Sequence, residues 1–173
     1  MKQTQVLSIL KDRIDLEGAS REIFAKLSAL NVKIIKTKDY PSPRFIDNKD
    51  GTVFDTWYNI YLVTLPHTDL PSHFKEPMPW EEAKAACLDL SFAGHKGWVL
   101  PSPVQGFSLV KNNASGPQID TALFKDTKEA GYWTNEEVAW DKSYVRVVGY
   151  GRGSVFYIDK DYKYVVRPVR ASQ

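Results

Sequence analysis

The stretch Gly94–Gln105, Gly-His-Lys-Gly-Trp-Val-Leu-Pro-Ser-Pro-Val-Gln, constrains the fold of this chain most strongly. Pro101 and Pro103 fix their own φ and push the residues before them into extended conformations. A helix cannot run through this point. It can begin here, because Ser102 suits an N-cap, Pro103 the first helical position, and Gln105 the third. The resulting Ser-x-x-Gln capping box predicts a helix over Ser102–Lys111. Ahead of it, Trp98-Val99-Leu100 is a short apolar triplet. The stretch reads as the link between the helical part of a domain and the sheet that closes it. It carries no evident chemistry of its own.

On its N-terminal side, Pro79–Leu90 is the clearest helix. Glu81 and Glu82 suit the positive end of the helix dipole. Trp80, Ala83, Ala86, Cys87 and Leu90 share one face. Cys87 is therefore expected to point inward as a packing thiol. A reactive thiolate needs an electropositive, partly exposed setting. Cys87 is also the single cysteine of the chain, so no internal disulfide can form.

Before this helix, Arg44–Asn48 and Gly51–Asp55 read as two strands around Asn48-Lys49-Asp50-Gly51. Asp-Gly is a strong hairpin signal, because glycine reaches positive φ freely. The same Asp47 and Asp50 do not make a calcium loop, since the further ligands of an EF-hand are missing. Trp57–Thr64 is predicted as a third strand. Leu65–Pro79 holds Pro66, Pro71, Pro77 and Pro79 and reads as a long loop. His67 and His73 lie there, and with His95 they match no compact zinc spacing. No metal and no cofactor are expected.

After Gly116-Pro117 the chain turns to β structure. Tyr132–Asn135, Tyr144–Tyr150, Ser154–Ile158 and Tyr162–Val169 read as strands. Gly149-x-Gly151-x-Gly153 has the wrong spacing for a dinucleotide fingerprint and opens no helix.

Residues 1–31 have helical periodicity. Val6, Leu7, Leu10 and Ile14 form one apolar face, and Ile23, Phe24, Leu27 and Leu30 a second beyond Gly18 and the capping Ser20. These helices either pad the main domain or dock on another chain. Under the docking reading, Leu10, Ile14, Phe24 and Leu27 are the assembly residues, and the partner is a second protein or a further copy. Val32–Thr37 reads as a strand, and Tyr40-Pro41-Ser42-Pro43 as a stiff boundary. The expected organisation is a helical extension over 1–43 and a domain over 44–173. Residues 1–43 hold eight basic and five acidic side chains, while the whole chain carries a net +2. That is too small a charge to argue for nucleic acid. No apolar run has the length of a membrane span or a signal-peptide core. No membrane partner is expected, and the chain is expected to be made in the cytoplasm.

The blocks Arg44–Asp55, Trp80–Leu90, Gly94–Ser102, Ile119-Asp120 with Phe124, Tyr132-Trp133-Thr134 and Tyr164–Arg170, in this order, resemble the Lcl C-terminal domain family. The resemblance covers about residues 44–171. It implies an α+β, C-type-lectin-like fold with two helices and a twisted antiparallel sheet. Three departures accompany it. Val99 stands where the family carries arginine. Trp57–Tyr61 replaces a glycine-led segment. Pro168 stands where many relatives place a second cysteine, so a bridge to Cys87, if relatives form one, is gone here. The calcium-binding tripeptides of lectins with this fold are not present either.

The expected function is a non-enzymatic recognition or assembly module that engages a protein or glycan through its terminal strands and loops. Trp140, Tyr150, Arg152 and Tyr157 are the candidate exposed contacts, because aromatic and arginine side chains dominate recognition surfaces. A bacteriophage virion or tail component fits this pattern, with the N-terminal helices as anchor. A calcium-independent cell-surface glycan-binding adhesin is the alternative. An enzyme is the remaining class. Formylglycine-generating relatives of the fold need active cysteines, and adjacent Glu136 and Glu137 would face opposite sides of a strand.

Overall fold

The structure is a computed structural model that describes residues 43–64, 70–113, 115–125 and 127–172. The expected N-terminal helices with Leu10, Ile14, Phe24 and Leu27, the Val32–Thr37 strand, and His67 lie outside the described residues.

The hairpin forms as its turn dictates. Strand β1 (Phe45–Asp47) pairs antiparallel with β2 (Thr52–Asp55), with Ile46 opposite Phe54. Lys49 and Gly51 both take positive φ, at 64° and 86°. The two turn carboxylates are occupied locally. Asp47 accepts from the Lys49 main chain and ammonium, and Asp50 accepts from the Thr52 amide and hydroxyl. The Lys49 bonds hold the Asp47 carboxyl below its ordinary range.

The third strand is shorter than expected. Residues 56–59 form a turn, and β3 spans Ile60–Val63. Asp55 accepts from the Trp57 amide, and Asn59 sits at φ 55°. A side-chain-capped turn ending in a left-handed residue cannot be extended strand. β3 pairs with β2 on one side and with β7 (Val169–Ala171) on the other, which gives a four-stranded sheet β1-β2-β3-β7.

A 3-10 turn at Ser72–Lys75 buries Phe74 and leads to helix α1, Trp80–Asp89. Trp80, Ala83 and Cys87 are buried along its inner face, at the spacing read from the sequence. The Cys87 thiol is fully buried, and burial pushes its pKa up to about 12.

The capping box at Ser102 is present in both halves. The Ser102 hydroxyl accepts from the Gln105 amide at 3.2 Å, and the Gln105 side chain accepts from the Ser102 amide at 2.8 Å. Helix α2 is brief, Pro103–Phe107, rather than reaching Lys111. Its end tightens into three-residue turns, Leu109 to Gly106 and Val110 to Phe107. Val110 then bridges to Ile119.

The remaining strands form a second sheet. β4 (Gly131–Glu137), β5 (Tyr144–Gly149) and β6 (Ser154–Asp159) make an antiparallel meander in the order β4-β5-β6. The expected single sheet is therefore two. The expected strand Tyr162–Val169 is also broken up. It makes isolated bridges from Tyr164 to Met78 and from Val165 to Tyr132 before β7 begins, and Val169, the first residue of β7, bridges to Val99. Pro168 has no amide to give to a ladder, which interrupts continuous pairing there.

Gly94–Gln105 joins the two sheets. Val99 exchanges both main-chain bonds with Val169 at 2.8 Å, and the Pro101 carbonyl accepts from Asn135 of β4 at 2.9 Å. Trp98, next to Val99, is fully buried, its indole N–H donated to the His95 carbonyl. Trp80 and Trp133 are buried in the same manner, donating to the carbonyls of Thr134 and Met78. The described part is α+β: two antiparallel sheets, two α-helices and a shared core. Among the described residues no helix is long and apolar enough to cross a membrane.

Candidate functional site

The three-stranded sheet has two unlike faces. Side chains alternate along a strand, and the register sets Trp133, Val147 and Phe156 on one face. That face joins the core: Trp133 and Val147 are fully buried, and Phe156 packs against Tyr164. On the opposite face the register aligns Arg146 with Tyr157, with Tyr144 two residues away. Helix α2 covers one end of this outer face, where Gly106 meets Val148. The other end is open.

Trp140 sits over that open end. It lies in the turn from β4 to β5, is 69% exposed, and meets Tyr157 edge to face at 5.6 Å. Tyr157 is 51% exposed and meets Tyr144 at 5.8 Å. Beside them Arg146 donates to Glu136 at 2.7 Å. The turn is held by Asp141, which accepts from the Ser143 amide and hydroxyl; these bonds keep its carboxyl below the ordinary range. Glu137 points the other way and pairs with Lys160, which lowers its carboxyl similarly. The two glutamates thus stand on opposite sides of the strand, as alternation requires.

The four expected contacts fare differently. Trp140 and Tyr157 are brought together. Arg152 is exposed, but it lies in the β5–β6 turn, past the Gly149–Ser154 pair and so at the other end of the ladder. Tyr150 must be corrected. It is only 1% exposed, and its hydroxyl donates to the Gly106 carbonyl at 2.8 Å. Its ring meets Tyr132 edge to face at 4.8 Å. Burial holds its phenol well above the usual range. Tyr150 belongs to the core because α2 lies over it. Tyr144 joins the open patch instead. The signal for it was register: Tyr144 and Arg146 share a face, and Arg146 stands opposite Tyr157.

A second polar and aromatic group had no sequence signal. Arg44 donates to both Asp55 oxygens, the shortest bond being 2.7 Å, and to the Ser108 carbonyl and hydroxyl. Its guanidinium stacks 4.5 Å from the rings of Phe45 and Trp57. Its bonds to Asp55 and Ser108 make it a clamp between the hairpin and the end of α2. Arg167 is buried too, bonded to the Val63 carbonyl and Thr127 hydroxyl, with Phe124 and Tyr132 against its plane. Among the described residues no three His, Cys, Asp or Glu side chains gather closely enough to hold a metal.

The sequence model of the Lcl C-terminal domain matches residues 47–170. The chain belongs to the Lcl C-terminal domain family. The matched span of this family member runs from the end of β1 into β7 and so includes both helices, the three-stranded sheet and the aromatic patch. None of the curated proteins compared with the chain matches it.

Proposed function

We propose that this Lcl C-terminal domain is a non-enzymatic recognition module built on a C-type-lectin-like scaffold, and that it engages its partner through the open end of the β4-β5-β6 face. The observation that carries this reading is Trp140, a tryptophan 69% exposed and set perpendicular to the half-exposed Tyr157. Leaving so large an apolar surface in water is unfavourable unless something covers it. A glycan fits this patch best. Sugar C–H faces pack on aromatic rings, and the Arg146–Glu136 pair beside them offers a donor and an acceptor to hydroxyls. No calcium is needed for such contacts.

The test is binding of the full chain to an immobilised panel of neutral and acidic oligosaccharides. Trp140→Ala and Tyr157→Ala should each weaken a binding sugar about thirtyfold, the effect of losing about 2 kcal/mol at an anchoring aromatic. Binding that survives unchanged in the double variant overturns the reading.

A further inference from the structure

Among the described residues, strand β6 leaves one edge open. Among the described residues its only named neighbour is β5, and no isolated bridge reaches its other side. The ladder with β5 shows which groups point where. The Lys160 amide donates to the Ser143 carbonyl at 3.0 Å, one step beyond the Tyr144–Asp159 pair. Bonded pairs alternate along an antiparallel ladder. Ile158, Phe156 and Ser154 therefore turn their main-chain groups to β5, and Val155, Tyr157 and Asp159 turn theirs outward. Of these, the Asp159 carbonyl is taken by Tyr162.

Edge strands are normally blunted by lysine, proline, a bulge or short length. Ser-Val-Phe-Tyr-Ile-Asp has none of these. It pairs with β5 without a register shift over its full length, whereas the β4–β5 ladder has one. Its four central residues, Val, Phe, Tyr and Ile, all favour strands.

The strand is also its own complement. A two-fold axis normal to the sheet and just outside the edge at Tyr157 sets Tyr157 opposite Tyr157 of a second copy and Val155 opposite the second copy's Asp159. All the facing groups are outward ones. Each Tyr157 exchanges both main-chain bonds with its counterpart, and each Asp159 amide donates to a Val155 carbonyl. Such an isologous contact closes on itself. The charges agree with it. Arg152 stands exposed just before the strand and Asp161 exposed just after it. The two-fold brings each Arg152 end beside an Asp161 end. Lys160, in the same turn as Asp161, is directed to Glu137 and the Trp80 ring.

We infer that two copies of this chain pair through β6, edge to edge and antiparallel, into one continuous six-stranded sheet. The outer faces then join, so that Trp140 and Tyr157 of both copies form one aromatic strip across the axis. The pairing rests on the open edge and not on what the strip binds. If the recognition reading holds as well, the dimer presents its patch twice on one surface, and repeated ligands gain avidity.

The test is the mass of the full chain by light scattering and sedimentation velocity. Twice the chain mass is expected. Val155→Pro should give the chain mass alone, because the ring stands where the outward Val155 amide stood and keeps a second strand from closing on the edge, while no internal bond is lost. The Tyr157 and Asp159 amides should exchange slowly in the parent dimer and fast in Val155→Pro. Arg152→Asp or Asp161→Arg alone should weaken association about tenfold, and the two together should restore it. The charge pair decides the matter if the proline variant does not fold. A chain that is monomeric at all concentrations overturns the proposal. So does a dimer that persists in Val155→Pro with its Tyr157 amide unprotected, or a charge exchange that restores nothing. Sugar binding is read separately, so failure of either idea is seen without the other.

Discussion

Tyr150 donates its hydroxyl to the Gly106 carbonyl at 2.8 Å, and this bond fastens the end of β5 to helix α2. Gly106 also lies close against the sheet: a side-chain carbon there would lie 3.1 Å from a Val148 methyl. Tyr150→Phe keeps the ring packed on Tyr132 and removes only the bond. It should cost about 1 kcal/mol, read as a lower urea midpoint at constant slope.

The Arg44–Asp55 pair is a second fastening between distant segments. The Asp55 side chain is 1% exposed and that of Arg44 14%. Removing one member of a buried pair leaves the other without its counter-charge. Asp55→Ala should therefore lose about 3 kcal/mol, measured by thermal or urea unfolding. Arg44→Lys should lose less, yet clearly, because an ammonium cannot bond Asp55 and both Ser108 oxygens in one plane.

Cys87 gives alkaline pH a defined effect. Burial raises its thiol from 9.0 to about 12. The folded chain then keeps a proton that the unfolded chain releases. This contribution is fully present below pH 9.0 and is lost as pH rises towards 12. Tyr150 acts in the same direction. Stability should fall across that window, and less steeply in Cys87→Ala than in the parent. At pH 8 the native thiol should resist a disulfide reagent that labels it at once in denaturant.

Gly131 allows β4 to pass under Tyr164. A Cβ at this position would sit 2.5 Å from the Tyr164 ring and 2.7 Å from a Val147 methyl. Val147 is fully buried and Tyr164 is packed against the core, so neither has room to move away. Gly131→Ala should cost about 2 kcal/mol through overpacking, seen as a lower melting temperature.

Ser102 supports the start of α2 through its capping box. Ser102→Ala should cost about 1 kcal/mol. Because α2 lies over Tyr150, amide exchange at Gly106 should accelerate in this variant more than exchange in β6.

The features legible in the sequence are those set by neighbours within a few residues. The Ser102 capping box, the inward face of Trp80, Ala83 and Cys87, and the Asp50-Gly51 turn all depend on local spacing. Local rules also gave the alternation that separates Glu136 from Glu137. Where local signals compete, composition alone points the wrong way. Trp57-Tyr58 has strand composition, but the Asp55 side chain captures the Trp57 amide and turns the chain. Trp140 and Tyr157 were visible as candidates because turn and strand aromatics are frequent at surfaces.

Tertiary structure decided the rest. Tyr150 and Tyr157 are both tyrosines near a glycine-rich turn, and nothing in their neighbours tells them apart. One is buried and the other half-exposed because α2 covers one end of the outer sheet face and leaves the other open. That placement follows from Gly106, Val99 and Pro101, which hold the helix and the linking stretch against both sheets. The same holds for Arg44, whose partners are eleven and sixty-four residues away. Sequence by itself determined the helix from Trp80, the capped helix start at Ser102 and the Asp50-Gly51 turn, because those choices are made over a few bonds. Exposure is a property of what packs above a residue, and that neighbour comes from elsewhere in the chain.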